Sequence, residues 1–406
     1  MELIRTVADK HGLAALLHEK PFKGVNGSGK HNNWSLATDT GSNLLEPGDT
    51  PSENAQFLLF LVAVIKAVDE YQDLLRVSAT SAGNDHRLGA NEAPPAIISM
   101  FLGEELTEIL EAIENGTAYC AKEKTQMEIG ASVLPHFPKD KTDRNRTSPF
   151  AFTGNKFEFR MPGSSSSTAG ANIVLNTAIA EVLSEFATIL EKSKDFKKDL
   201  NAIIKNTFKK HKRIVFNGNN YSEDWVVEAK KRGLSNLKST PEAWDKFIDK
   251  KIVKLFTKHK VLSEDEIHAR YEIHLEGYAK TIRIEGLTTV DMVKRSIVPA
   301  TIKYQTKLAK AIGAKNKAGA FSVKLEQSML DRIAHLSDSM LERLDALDAL
   351  LAKEPSDSDI AKVANFYQSK VFVAMGELRE KVDELETLIG SNYWPFPTYA
   401  ELLFHV

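Results

Sequence analysis

Gly24-Val-Asn26-Gly27-Ser28-Gly29-Lys30-His31-Asn-Asn33-Trp34-Ser35 constrains this chain more than any other stretch. Glycine lets a backbone approach another group without side-chain hindrance. Here the glycines are surrounded by Asn26, Ser28, Lys30, His31 and Asn33, all able to bind or transfer charge. An apolar run, Leu13 to Leu17, leads in and predicts a short strand after an amphipathic helix. His31 to Leu36 leads out with the alternation of a second strand. Gly24-x-x-x-x-Gly29-Lys30 meets most of the phosphate-loop pattern. The next residue is His31, so the hydroxyl that binds Mg²⁺ is missing, and the pattern must open a helix rather than a strand. The phosphate-loop reading is therefore rejected.

The chain has 406 residues, enough for two domains. A net charge of −2 provides no global field for nucleic acid or a membrane surface, and neither is an expected partner. The single cysteine, Cys120, rules out a disulfide framework and reads as a small buried side chain. The Met1 to Thr6 start lacks the order of a signal peptide, and the longest apolar run, Phe57 to Ile65, is far short of a membrane span. A cytoplasmic setting is expected.

Ser52 to Leu75 reads as a strongly apolar helix buried on a broad face. Ser78 to Asn84 reads as a small polar loop, and Arg87 to Pro95 as a second irregular segment. Residues 97–114 carry helical spacing, with Glu104, Glu105, Glu108, Glu111 and Glu114 on a solvated face. Asp143-Arg144-Asn145-Arg146 runs through Gly154 into Lys156-Phe-Glu158-Phe-Arg160. That pentapeptide alternates strictly, with two Phe on one face and three charges of mixed sign on the other, which suits an anionic ligand beside a metal. A helix is expected from Ala169 to Leu190.

After about residue 195 the pattern is helical. The basic run from Lys192 to Arg213 reads as a solvated helix face, because aromatic interleaving is sparse. Ser263 to Glu266 forms a capping box, and Thr240-Pro241 has cap-then-proline order. Two apolar seams, Met329 to Leu351 and Ile360 to Ile389, flank Lys353 to Asp357. They predict an antiparallel helical hairpin over 322–352 and 356–389, stopped by Gly390. The aromatic tail, Tyr393-Trp394 to Tyr399, is expected to dock on a surface. His268, Glu272 and Glu264 share a helix face but lack a second His or any Cys, so they read as surface charge.

The segments around Asn26-Gly27-x-Gly29-x-His31-x-Asn33-x-Ser35, Arg87 to Pro94, Asn145-Arg146-Thr and Lys156 to Arg160 occur in one order. Together they resemble the glutamate–ATP loop, flap, arginine segment and final metal strand of glutamine synthetases, specifically the long type III class. The resemblance implies an α+β fold. Part of an antiparallel catalytic sheet with helices would occupy 1–198, and an all-helical C-terminal extension 199–406. It implies ATP-dependent amidation of glutamate by ammonia through γ-glutamyl phosphate, in a homo-oligomer.

By the same resemblance, His31 and Glu158 would hold Mg²⁺ or Mn²⁺ beside the γ-phosphate. Asn26, Gly27, Arg87 and Arg160 would bind glutamate, and Asn33, Ser35 and Lys156 would lie near the nucleotide. Arg146 would stabilise the transferred phosphoryl group, and Glu92 would take a proton from ammonium. Lys156 and Ala151 stand where type I relatives have arginines. The family's other metal carboxylates lie upstream of the Asn-Gly loop, so activity is expected to need an N-terminal part. A non-catalytic glutamate- or nucleotide-binding subunit, and a structural helical-interaction protein, remain as alternatives.

Overall fold

The computed structural model describes residues 2–13, 15–117, 119, 126–127, 137–138, 145–353, 355, 359–397 and 401. Cys120, Asp143, Arg144, Asp357 and Tyr399 lie outside the described residues. The chain forms two compact units, 1–271 and 272–406.

In the first unit, α1 (Glu2–Lys10) buries none of its residues. The strand expected at 13–17 is not formed among the described residues. Next come β1 (Asn32–Trp34), α2 (Ala55–Glu70), α3 (Gln72–Val77), α4 (Ala82–Arg87), β2 (Met100–Phe101) and α5 (Glu104–Asn115). Gln126–Met127 (β3) and Phe137–Pro138 (β4) form a separate antiparallel pair. β5 (Phe150–Phe152) and β6 (Phe157–Phe159) precede α6 (Ala169–Glu191), α7 (Phe196–His211), α8 (Glu223–Lys231), α9 (Thr240–Trp244) and α10 (Lys250–Lys258).

The main sheet has the order β1-β6-β5-β2. The first three strands are antiparallel, and β2 joins β5 in parallel, so the sheet is mixed rather than wholly antiparallel. Phe157 and Phe159 are fully buried and meet Phe150 at 5.0 and 5.9 Å between ring centroids. This aromatic layer fixes the register, because a one-residue slip would turn both rings into solvent. Asn33, Glu158 and Ala151 therefore lie in one row on the opposite face. On the core side, Asn32 donates to Asn172 and the Trp34 indole to Asn176, each at 2.9 Å. Both acceptors are on α6, which locks that helix beneath the sheet.

α6 is long and apolar enough to cross a membrane by length and composition, although polar residues interrupt its apolar runs. Here Val174, Leu175, Ile179, Val182 and Phe186 are buried in the first unit. α2 is apolar on nearly every face, as a central helix must be. It is capped by the Asn54 side chain on the Phe57 N–H. α7 packs on α2, and its basic run is not wholly solvated. His211 is buried, with Nδ1 2.7 Å from Asp69, and Arg213 meets the same carboxylate at 2.7 Å.

Ser78 to Asn84 also differs from expectation. Ser81 caps α4, and the Asn84 side chain, fully buried, donates to the carbonyls of Ala79 and Met161. Residues 97–103 are not helical: they supply β2, and α5 begins at Glu104. Ser239, not Thr240, caps α9, with Glu242 completing the capping box.

α11 (Glu264–Met292) leads into the second unit, followed by α12 (Val298–Ala318), α13 (Lys324–Ala352), α14 (Ile360–Phe366) and α15 (Phe372–Leu388). Ser263 and Glu266 exchange the expected capping-box bonds. π-turns occupy Val293–Ile297 and Tyr367–Val371. The first precedes Pro299, whose ring displaces the carbonyl four residues back and whose nitrogen cannot donate. α13 packs on α15, and Ile333, Met340, Leu344, Leu347 and Leu351 of the first and Leu378 and Leu385 of the second are buried. Tyr393 of the tail packs on Tyr304, 5.3 Å between rings.

Candidate functional site

The glycine-rich loop is fastened at both ends. The Ser28 N–H donates to the Glu19 carbonyl at 2.7 Å, and the Lys30 N–H to Pro162 at 2.9 Å. Asn91 holds the Gly24 carbonyl at 2.7 Å. A Cβ at Gly27 would fall 2.6 Å from the Glu19 carbonyl oxygen, and one at Gly29 would fall 2.3 Å from the Arg87 guanidinium. The groups that need these glycines thus belong to the protein itself, the Glu19 backbone at Gly27 and the Arg87 side chain at Gly29.

Arg87 is 5% exposed. Its guanidinium donates to Asn84, to the carbonyls of Met161 and Pro162, and to the Arg160 carbonyl, at 2.9–3.4 Å. It clamps β6 to α4 under the loop. Its donors are engaged by the Asn84 side chain and by backbone carbonyls.

A cavity of about 420 Å³ opens on the row of Glu158, lined by His31, Asn33, Arg146, Lys156, Glu158 and Arg160, with Thr153. Asn33 and Glu158 lie in β1 and β6, His31, Lys156 and Arg160 flank those strands, Arg146 comes from the 145–147 turn, and Thr153 from the link between β5 and β6. Glu158 accepts from Arg160 Nε and Nη2 at 3.0 and 2.7 Å on one oxygen, and meets His31 Nδ1 at 2.7 Å on the other. Burial pushes the Glu158 carboxyl up, but the hydrogen bonds and charge of Arg160, then of His31, outweigh it and hold the group below the usual carboxylate range. Arg160 also donates to the Asn145 carbonyl, which ties Arg146 to the same cavity.

Among the described residues no group of three or more His, Cys, Asp or Glu could hold a metal. His31 and Glu158 nevertheless fit two positions of a shell that phosphate oxygens and water would complete. The imidazole is half exposed, and the Glu158 oxygen that Arg160 leaves open is the one facing His31.

Asn26 and Glu92 form a second pair. The Asn26 amide donates to Glu92 Oε2 at 2.7 Å, and Glu92 has a left-handed backbone at φ 52°. Such a conformation costs a bulky residue about 1–2 kcal/mol and persists only where neighbours hold it. One of those neighbours is Tyr221, whose hydroxyl donates to the Glu92 carbonyl at 3.0 Å and approaches the Arg146 carbonyl at 3.5 Å. Burial, then the Glu92 charge, raises the Tyr221 pKa. Sequence pattern alone assigns no site role to any residue past 198. The aromatic in Asn217-Gly-Asn-Asn-Tyr221 is the available signal, since a loop Tyr needs a partner for its hydroxyl. Ser35 does not line the cavity. Its hydroxyl donates to Asn43 and to the Asn155 carbonyl, joining two loops.

Two family models match this sequence. The glutamine synthetase catalytic domain matches residues 1–98, and the glutamine synthetase C-terminal domain matches residues 199–316. A glutamine synthetase of Butyrivibrio fibrisolvens is 47% identical over 410 residues, covering 100% of this chain and 58% of the relative. A type-3 glutamine synthetase of Dictyostelium discoideum is 46% identical, covering 100% of this chain and 56% of the relative. A glutamine synthetase of Bacteroides fragilis (strain YCH46) is 40% identical, covering 100% of this chain and 57% of the relative. The chain therefore spans a little over half the length of these relatives. Similarity along the whole of this chain at these identities, with both family models in order, leads to one conclusion: the chain belongs to the glutamine synthetase family.

Proposed function

We propose that this chain carries the phosphate-facing corner and the flap of an ATP-dependent glutamate–ammonia ligase. The observation that supports this reading best is the Glu158 carboxylate, shared between His31 and Arg160 in a cavity that also holds Arg146 and Lys156. Glutamate's γ-carboxylate attacks the γ-phosphorus of ATP, and ADP leaves. Ammonia then attacks the acyl carbon of γ-glutamyl phosphate, and inorganic phosphate leaves. A divalent ion, when bound, neutralises phosphate charge. His31 and Glu158 would hold it, and Arg146 and Lys156 would take the remaining negative charge. Asn33 lies at the cavity edge toward the nucleotide. Glu92 accepts the proton of ammonium, and Asn26 holds its carboxylate in place. Arg160 orients Glu158 and presents its remaining face to glutamate. Arg87 acts beneath the site as a clamp.

His31 and Glu158 supply two ligands, and a divalent ion of this kind takes about six. Turnover therefore calls for further carboxylates, supplied by another polypeptide region of the family's catalytic domain. The experiment is γ-glutamyl hydroxamate formation from ATP, Mg²⁺, glutamate and hydroxylamine, with the chain alone and with the remaining N-terminal region of the Butyrivibrio fibrisolvens relative added. Product that appears on addition and disappears in Glu158→Ala supports the ligase reading. ATP binding without product in either mixture supports the non-catalytic binding subunit instead.

A further inference from the structure

Residues 215–221, Val-Phe-Asn-Gly-Asn-Asn-Tyr, join the edge of the sheet and then leave it. Val215 bridges to Met100 of β2, and the Phe216 N–H donates to the Met100 carbonyl at 2.8 Å. Beyond that pairing, side chains take over. Asn217 Oδ1 accepts the N–H groups of Leu102 and Gly103 at 3.1 and 3.2 Å, and its amide donates to the Thr107 hydroxyl of α5 at 2.9 Å. The Phe216 ring stacks on the buried Trp225 indole of α8, 3.8 Å between centroids. A Cβ on Gly218 would fall 2.6 Å from that Phe216 ring, so the turn there needs glycine. The other side of the segment grips the turn that carries Arg146. Asn145, just before that arginine, donates to the carbonyls of Asn217 and Gly218 at 3.1 and 2.6 Å. Thr147, just after it, accepts the Asn220 N–H at 2.9 Å and donates to Asn145 Oδ1 at 2.6 Å. Asn220 is fully buried, and its amide oxygen accepts the Ser99 hydroxyl at 2.6 Å. Tyr221 follows, with its hydroxyl on the Glu92 carbonyl. One short segment therefore holds the backbone of both Arg146 and Glu92, with its own footing on β2 and α5.

We infer that this segment is a strap that positions Arg146 and Glu92 jointly, with Asn220 as its central positioning residue. The inference rests on the ligase reading for the roles of those two side chains. It places a common support for both halves of the reaction in the family's C-terminal domain. Such a network is stiff because breaking one buried bond strands its partner. A loosened strap lets the Arg146 guanidinium drift from the transferred phosphoryl group, and lets the Glu92 segment admit water. Water then attacks the acyl carbon of γ-glutamyl phosphate, phosphate leaves and glutamate is regenerated. ATP is consumed without product.

Asn220→Asp and Thr147→Val cut the same junction from its two sides, the second at nearly constant shape. Asp195→Ala, which removes the side-chain cap of α7, is the folding control. Phosphate and hydroxamate are measured together in the complemented assay. Wild type and Asp195→Ala are expected to release the two in equal amounts. Each junction variant is expected to lose kcat on the order of tenfold at unchanged KM for ATP, and to release phosphate in excess of hydroxamate. Hydrogen exchange of the chain alone is the second readout. Both junction variants are expected to exchange faster at 89–94 and 145–149, with α2 as in the wild type. Junction variants that keep the two products balanced, or that leave exchange at either segment unchanged, overturn the inference. Absence of product with the wild type refutes the ligase reading instead, and the exchange result then decides the strap by itself.

Discussion

Gly29→Ala isolates the reason for the glycine-rich loop. The new methyl would lie 2.3 Å from Arg87 Nη2 and 2.7 Å from Cζ. The guanidinium cannot swing away cheaply, since it donates to Asn84 and to the carbonyls of residues 160, 161 and 162. Forced overpacking costs about 1–3 kcal/mol, and a displaced hydrogen bond from a charged donor about 1.5–3 kcal/mol. Relief through the exposed loop recovers part of this, so the expected loss is about 3 kcal/mol. For a unit of this size that lowers its Tm by about 6–9 °C. Calorimetric melting gives the first number, and a cycle with Arg87→Ala gives the decisive one. With the guanidinium gone, Gly29→Ala is expected to cost less than about 1 kcal/mol, a coupling of about 2 kcal/mol. Gly24→Ala is the control. Gly24 has open space around it but φ of +79°, so it loses about 1 kcal/mol whether or not Arg87 is present. If Gly29→Ala costs the same in both backgrounds, the steric account of the loop is wrong.

The Asp85 carboxyl is pushed up to about 6 by burial that Arg76 and Thr240 only partly offset. The folded state holds the proton more tightly than the unfolded chain, so stability falls as pH rises from about 4 to 6, by up to about 3 kcal/mol. Denaturant midpoints across that window check it, and Asp85→Asn is expected to flatten the slope. Glu158 is shifted the other way. Its contribution is present above the unfolded carboxylate pKa and lost as pH falls through its depressed folded value, so Glu158→Gln removes a loss confined to pH below about 4. Tyr221→Phe deletes the hydroxyl that reaches the Glu92 carbonyl. In the complemented hydroxamate assay it is expected to lower turnover about tenfold while leaving the KM for ATP unchanged.

Periodicity makes parts of the fold legible in the sequence. The Phe157-Glu158-Phe159 alternation encodes both the buried aromatic layer and the face that bears the carboxylate. The two seams of α13 and α14–α15 encode the hairpin, because helical spacing is a local property. Groups whose reason lies far away along the chain are not legible. Gly29 looks prepared for a ligand, whereas its close neighbour is Arg87, some sixty residues on. Ser78 to Asn84 looks like a loop because its residues are small. Yet Asn84 is buried by bonds to residues 79 and 161, which no local pattern encodes. Tyr221 escapes for the same reason, since its two partners are separated from it by 129 and 75 positions. At the site itself, residue type identifies His31, Asn33, Arg146, Lys156, Glu158 and Arg160 as chemically capable; the strand register sets Asn33 beside Glu158, and segments flanking the strands bring the others to the same cavity. Ser35 has the right residue type on the same strand path, but neighbouring loops use its hydroxyl.

The most direct measurement of the central claim is a Mn²⁺ titration of the chain followed by electron paramagnetic resonance, with and without ATP, on the wild type and Glu158→Ala. If His31 and Glu158 form the metal-facing corner of a nucleotide site, wild-type chain binds Mn²⁺ far more tightly with ATP than without. Glu158→Ala then loses that gain. Equal Mn²⁺–ATP binding by the two proteins would contradict the assignment of Glu158, and with it the reading of this cavity as the phosphate-facing corner.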